Sequence, residues 1–388
     1  MKVIYVSYMR LSDKASRDWY INFLQSKNVE VEYWDLVPLL FGGDLAGSKK
    51  TEYLRVPRTY QELRSMISCP NNKGASFVMV VTYEGRTVKL YRLLSKHGCR
   101  MFFIAWGAMP IKQIQALNKL SNGITNPLQL VRKAYYKVKA IAYRKWKLIK
   151  PFEVVFAAGH AVMVSEFYAK HVIPINLMDY DHYRKTLLER ERIVAGRYAV
   201  FLDINLPYQS DLKIVGMQAV NPRDYYASLN QFFDIVELKY GLQVVIAAHP
   251  KADYSAELFN GREIYHSQTA LLVKDADWVI SHHSTSVSYA VLNQKPIIFI
   301  YTNEMALVYE NTVVKYLRDY AAYLDAAIYN IDKITQSDQI MVNDVNVERY
   351  DKYKYSYITT HESENSLTQD IFWREICENQ FIVGQHGN

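Results

Sequence analysis

Little in this chain is built on cysteine or glycine. Among its 388 residues there are three cysteines, Cys69, Cys99 and Cys377. Their number is odd and their spacing long, so they form neither a disulfide framework nor a zinc-binding pattern. They read as reduced, mostly buried thiols. None of the ten histidines pairs with another at HExxH spacing, and no metal site is expected. The 15 glycines contain no GxGxxG or GxxxxGK[ST] run, which removes the usual signals of dinucleotide-binding and P-loop chemistry. A phosphate site here would have to use other donors. No apolar run approaches the ~18–20 residues of a membrane helix. The apolar stretch at Met1–Tyr8 is too short for a signal peptide and lacks a small-residue cleavage site, so a cytoplasmic protein is expected.

What is present fits a folded chain. Half of the residues are hydrophobic and 22% are charged, a balance that fills large cores and excludes an intrinsically disordered class. The net charge of +7 favours an acidic partner without naming one. Tyrosine is abundant, at 32 residues, but it fills the amphipathic surfaces of ordinary proteins as readily as it stacks on sugars.

The length suits two domains. In the first part, strand candidates at 3–8, 29–36, 77–82 and 100–105 alternate with helical stretches at 16–26, 60–67 and 87–97. Further strands are expected at 154–156, 162–164 and 171–175. Strands alternating with helices of this length imply parallel βαβ units. The second half repeats the style. Strands are expected at 198–203, 243–248, 278–281 and 296–301, with helices at 223–240, 267–274 and 286–292. Asn221-Pro222 opens the longest of these helices and Gly241 closes it. The charge-dense stretch Arg184–Arg197 places a boundary near residue 190. The expected layout is an N-terminal Rossmann-like acceptor domain over 1–190, a C-terminal Rossmann-like nucleotide-sugar domain over 191–330, and a tail over 331–388 that turns helical from Leu367 to Gln380. This α/β pattern is that of the GT-B architecture. Fold alone does not give function, so the site must decide.

Ligands of open α/β sheets sit beyond the carboxyl ends of the strands. His249-Pro250-Lys251 follows the strand ending at Ala248. The histidine can donate to a phosphate oxygen, the proline stiffens the loop and the lysine adds a cation. As a bare strand-ending turn, the same tripeptide would carry no chemistry. Ser281-His282-His283-Ser284-Thr285-Ser286 follows the 278–281 strand and precedes a helix. Its hydroxyls can cap that helix, or join its free N–H groups around an anion. Two adjacent histidines exceed the needs of a cap. Asp203, at a third strand end, can orient a ligand hydroxyl or simply form a turn.

A His-Pro motif followed by a Ser/Thr motif resembles the bacterial sialyltransferases, polysialyltransferases and Kdo transferases of GT-B type. Residues 198–300 also look like proteins of bacterial capsule and O-antigen clusters. The resemblance implies that the motifs containing His249, Pro250, Ser284, Thr285 and Ser286 hold the phosphate and cytidine of a CMP-sugar. Lys251 and Asp203, at the same strand ends, join them as nucleotide-binding candidates. No cofactor is expected, and no metal is needed because protein donors can neutralise a single phosphate. Those transferases also carry an acidic-acidic-Gly motif whose carboxylate is the general base. Here the corresponding run is Tyr83-Glu84-Gly85, with tyrosine replacing the first acid, so the resemblance makes Glu84 the base. Asp179 and Asp181 compete for that role, and on an extended segment they would share a face.

Residues 127–150 hold eight basic residues, no acidic ones and interleaved Tyr, Trp and aliphatic side chains. Such a helix suits an anionic membrane surface, or is a solvated face over a packed helix. No nucleic-acid motif accompanies it. The expected partners are a nucleotide sugar, CMP-linked, and a glycan or lipid-linked glycan acceptor, with peripheral membrane contact through 127–150. The alternatives are a transferase using a UDP- or GDP-sugar and a non-catalytic polysaccharide assembly or binding protein.

Overall fold

A computed structural model describes residues 1–42, 49–106, 110, 127–163, 167–209, 218–250, 252, 254–255, 257–335 and 340–378. The chain divides into two compact units. One is formed from Met1–Trp106, Gln115–Asn176 and Thr360–Asn388, and the other centres on Leu177–Thr359.

The first unit is a seven-stranded parallel sheet. Its strands are β1 (Lys2–Ser7), β2 (Glu30–Asp35), β3 (Leu54–Arg55), β4 (Ser76–Val80), β5 (Arg100–Ala105), β6 (Phe152–Ala158) and β7 (Ala169–Ile175). Their spatial order is β3-β2-β1-β4-β5-β6-β7. The inner strand β1 pairs on both sides, Val3 with Val31 and with Ser76. Val3–Val6, Phe77–Met79 and Val155–Ala158 are almost fully buried, the continuous apolar runs of strands covered on both faces.

The second unit has six parallel strands. They are β8 (Tyr198–Leu202), β9 (Gln243–Ala247), β10 (Ile264–Tyr265), β11 (Trp278–Ser281), β12 (Ile297–Tyr301) and β13 (Ala327–Asn330), in the order β10-β9-β8-β11-β12-β13. The strand order reverses between β8 and β11, the doubly wound pattern. Helix Pro222–Tyr240 covers this sheet with Tyr225, Leu229, Phe232, Phe233 and Val236, all buried in its core. Asn221 caps its first turn, accepting from the Arg223 N–H at 3.0 Å, and Gly241 ends it at φ +60°.

Several expectations need correction. Residues 16–26 are two short helices, Asp13–Asp18 and Ile21–Ser26, because Tyr20 stands at φ +59° between them. The strand expected at 162–164 is instead part of helix His160–Met163, and Val164 lies outside the described residues. The segment bearing Asp179 and Asp181 is helix Met178–Thr186, so the two residues stand about 160° apart around the helix axis rather than on one face.

The units divide at Asn176/Leu177 rather than near 190. Helix Met178–Thr186 belongs to the second unit because its Asp179 accepts from the Ser288 hydroxyl and Tyr180 enters that core. Residues 331–359 are no separate tail: Ile340, Tyr350, Tyr353 and Ile358 complete the same core. The final segment returns to the first unit. There Thr368 Oγ1 accepts from the Asn176 N–H at 3.0 Å and donates to the Asn176 carbonyl at 3.1 Å, and Phe372 packs on Tyr20 and Phe156. The helix expected from Leu367 starts at Thr368, and Gln380 lies outside the described residues.

Candidate functional site

The carboxyl ends of β8, β9 and β11 bring most of the sequence-derived candidates of the second unit together. The Asp203 N–H donates to the Ala247 carbonyl at 3.2 Å, tying the end of β8 to that of β9. The Asp203 carboxylate accepts from the Asn205 N–H at 3.0 Å and from the Tyr254 hydroxyl. That hydroxyl in turn accepts from the His249 N–H at 3.3 Å. Tyr254 therefore links the Asp203 turn to the His-Pro loop. Burial pushes the Asp203 carboxyl up to about 6, with the Tyr254, Asn205 and Ile204 hydrogen bonds pulling the other way. His249 is half-buried and Pro250 exposed, while Lys251 lies outside the described residues.

Beyond β11 the two histidines separate in role. His282 is fully buried; its Nδ1–H donates to the Ile300 carbonyl at 2.6 Å, since a carbonyl only accepts. Burial lowers its pKa to about 3, so the ring is neutral and its Nε2 accepts from the Tyr225 hydroxyl at 2.9 Å. His282 is thus a satisfied core residue. His283, whose pKa burial lowers to about 4, leaves its Nδ1 without a hydrogen-bond partner.

The hydroxyls of the Ser/Thr motif do not cap the helix that follows. Ser286 stands at the cap of Val287–Leu292 in α-helical conformation without a side-chain bond. Ser284 Oγ accepts from the Ser286 N–H at 3.2 Å instead. Among the described residues the Thr285 and Ser286 hydroxyls make no hydrogen bond, and Thr285 is exposed.

Three buried polar atoms at these strand ends and the facing helix lack partners: Asp203 Oδ1, His283 Nδ1 and Tyr226 OH. A buried group left unpaired costs about 1–3 kcal/mol, so each of the three is a candidate partner for a ligand. Sequence reasoning missed Tyr225, Tyr226 and Tyr254. In a chain with 32 tyrosines, none of the three carries a local signal that sets it apart.

Glu84 lies in the first unit, in the turn beyond β4. It is half-exposed, and its Oε1 pairs with Arg86 Nε at 3.0 Å. The turn is fixed by Thr87, whose Oγ1 accepts from the Glu84 N–H at 2.9 Å and donates to the Thr82 carbonyl at 2.8 Å. Helix Pro127–Lys145 crosses directly over Gly85, where any Cβ would collide with the backbone and Cβ of Tyr136. Between this turn and the helix is a cavity of ≈ 390 Å³. Asp179 and Asp181 are both in the second unit; Asp179 is held by Ser288, and Asp181 is buried. Among the described residues, no cluster of three or more His, Cys, Asp or Glu could hold a metal ion.

Solved structures share this fold. A His-to-Ala variant of the wall teichoic acid polymerase TagF matches with a TM-score of 0.51 at 12% identity, covering 97% of this chain and 89% of that one. A His-to-Asn variant of the same polymerase matches at 0.50 and 12% identity, over 98% and 90%. At this identity the likeness concerns fold, an α/β chain of two Rossmann-like domains in the GT-B class. No protein-family model matches the chain, and no curated protein does either.

Proposed function

We propose that the protein is a glycosyltransferase that moves an acidic nonulosonate or Kdo-like sugar from a CMP donor to a bacterial surface polysaccharide. The observation that carries this reading is the set of unpartnered polar groups at the carboxyl ends of β8 and β11, where doubly wound sheets bind their ligands. In this reading the His249 ring and the free hydroxyls of Thr285 and Ser286 donate to the single phosphate, with Ser284 shaping the turn and Pro250 stiffening its loop. Lys251 supplies a cation. Asp203 and Tyr226 receive and donate hydrogen bonds to the ribose or base, whose hydroxyl and amino groups match an acceptor and a phenol. Fixed donors at the leaving phosphate stabilise the charge that builds as the glycosidic bond breaks. Glu84 takes the proton of the acceptor hydroxyl as it attacks the anomeric carbon. The fold shared with a wall teichoic acid polymerase supports a place in the synthesis of bacterial surface polymers. The exposed apolar and basic side chains of helix Pro127–Lys145 support a peripheral membrane contact.

A thermal-shift screen of CMP, UDP, GDP and their sugars tests the donor. A ligand at 100 times its Kd adds about 2.7 kcal/mol to stability, so CMP and CMP-sugars should give the largest shifts. Larger shifts with UDP- or GDP-sugars would reassign the donor. No shift with any of them would favour a non-catalytic assembly protein.

A further inference from the structure

Helix Pro127–Lys145 has two neighbouring faces that donor chemistry does not use. Tyr136, Lys137, Ala140, Ile141 and Arg144, one helical face by their spacing, form one wall of the 390 Å³ cavity. The Tyr83–Arg86 turn forms the other. The cavity is electropositive. Glu84 is matched by Arg86 at 3.0 Å, and among the described residues neither Lys137 nor Arg144 has a carboxylate within ion-pair distance. The Arg144 guanidinium lies 4.2 Å from the centre of the Tyr83 ring, and its buried Nε–H has no acceptor. A guanidinium held against a ring with an unused N–H is a donor prepared for an anion.

The adjacent face is apolar and open. Val131, Val138 and Trp146, just beyond the helix, are 68, 65 and 67% exposed, with Tyr135 beside them. Ile141 belongs to both faces: it lines the cavity and is itself exposed. Lys139 borders this stripe and Lys145 stands within it near the end of the helix. Apolar side chains flanked by lysines, with Trp and Tyr, are the features of a helix lying in the plane of an anionic bilayer.

We propose that the cavity takes the phosphate head of an anionic membrane lipid, with the open stripe seated in the bilayer interface beside it. The volume accommodates a phosphate and its nearest substituent. The continuity of the two faces through Ile141 favours an amphiphile over a free anion. The inference deepens the membrane-contact part of the proposed function. It does not depend on the donor, because lipid binding requires no turnover and the nucleotide screen reads the other unit.

The test is co-sedimentation of the full chain with phosphatidylcholine vesicles, with and without phosphatidylglycerol, at physiological salt. The wild-type protein should sediment with the anionic vesicles alone. A lysine near such a surface contributes about fivefold to partition through charge alone. Lys145→Gln, away from the cavity, should show that loss and no more, whereas Lys137→Gln should lose at least a further tenfold. Ala140→Phe fills the cavity and leaves every charge in place, and it should lose at least tenfold as well. Circular dichroism checks that the variants are folded. Among the described residues the exposed Lys137 makes no hydrogen bond or ion pair, so its variant decides the matter even if Ala140→Phe misfolds. Equal losses for Lys137→Gln and Lys145→Gln would overturn the proposal in favour of plain surface charge. Competition by inorganic phosphate as effective as that by anionic vesicles would overturn it in favour of a free-anion site.

Discussion

Asp203 links the strand ends of the second unit's candidate site, and its burial makes it testable. Its folded pKa of about 6 lies above the ordinary 3.8, so between pH 4 and 6 the folded state holds more protons than the unfolded one. Its contribution to stability is therefore present at about pH 4 and lost as pH rises through 6, a change of order 2–3 kcal/mol. Asp203→Asn avoids that loss. Its melting temperature should gain on the wild type as pH goes from about 4 to about 7. His282 acts in the opposite direction, losing stability as pH falls from 6.5 toward 3, but both proteins share it and the difference cancels. A pH-independent difference would mean that Asp203 is not desolvated. Tyr254 is predicted to position the His-Pro loop. Tyr254→Phe removes the acceptor of the His249 N–H and a donor to Asp203, and should weaken CMP binding about tenfold with the fold intact by circular dichroism. Unchanged affinity would make the Tyr254 link purely structural. The strand-end positions of His249, Asp203 and the Ser/Thr motif were legible in the sequence, because strand ends can be found from apolar runs. Tyr225 and Tyr226 were not, because they come from a helix distant in the chain, and Tyr254 was not, because its link back to Asp203 spans 51 residues and leaves no local pattern.

At the scale of elements, two glycines do different work. Gly241 sits at φ +60° with open space around it, so Gly241→Ala should cost only about 1 kcal/mol, the strain of an alanine in that conformation. Gly85 has no positive φ, but helix Pro127–Lys145 presses on it. Gly85→Ala must displace that helix and should destabilise the first unit by clearly more than Gly241→Ala does the second, as read by urea unfolding. Equal costs would show that the helix yields freely. The sequence indicated most strands and the helices between them, because apolar runs and period-three spacing are local. It failed where tertiary packing decides. Tyr20 breaks a continuous helical pattern, and the helix His160–Met163 occupies an apolar stretch that reads equally well as strand. Gly85 was seen as part of a motif, but its role under the helix could not be read from the chain.

For the whole molecule, two doubly wound sheets of similar strand order carry separate sets of chemistry. The second unit holds the candidate nucleotide site; the first holds Glu84 and the cavity beneath the basic helix. The sequence placed the boundary in a charged stretch, because charge runs resemble linkers. The structure divides earlier, because the helix before that stretch is tied to Ser288 and the second core. General-base catalysis contributes about 10²–10⁴-fold, so Glu84→Gln should lower turnover of a CMP-sugar by that factor and leave CMP affinity nearly unchanged. Full activity in Glu84→Gln with loss in Asp179→Asn or Asp181→Asn would move the base to helix Met178–Thr186.

The most direct measurement of the central claim is titration calorimetry of CMP, UDP and GDP into the wild-type chain and into His249→Ala. CMP should bind at least tenfold tighter than UDP or GDP, and His249→Ala, still folded, should lose at least tenfold in CMP affinity. Tighter binding of UDP or GDP, or CMP affinity unaltered in His249→Ala, would contradict a CMP-sugar site at the ends of β8, β9 and β11.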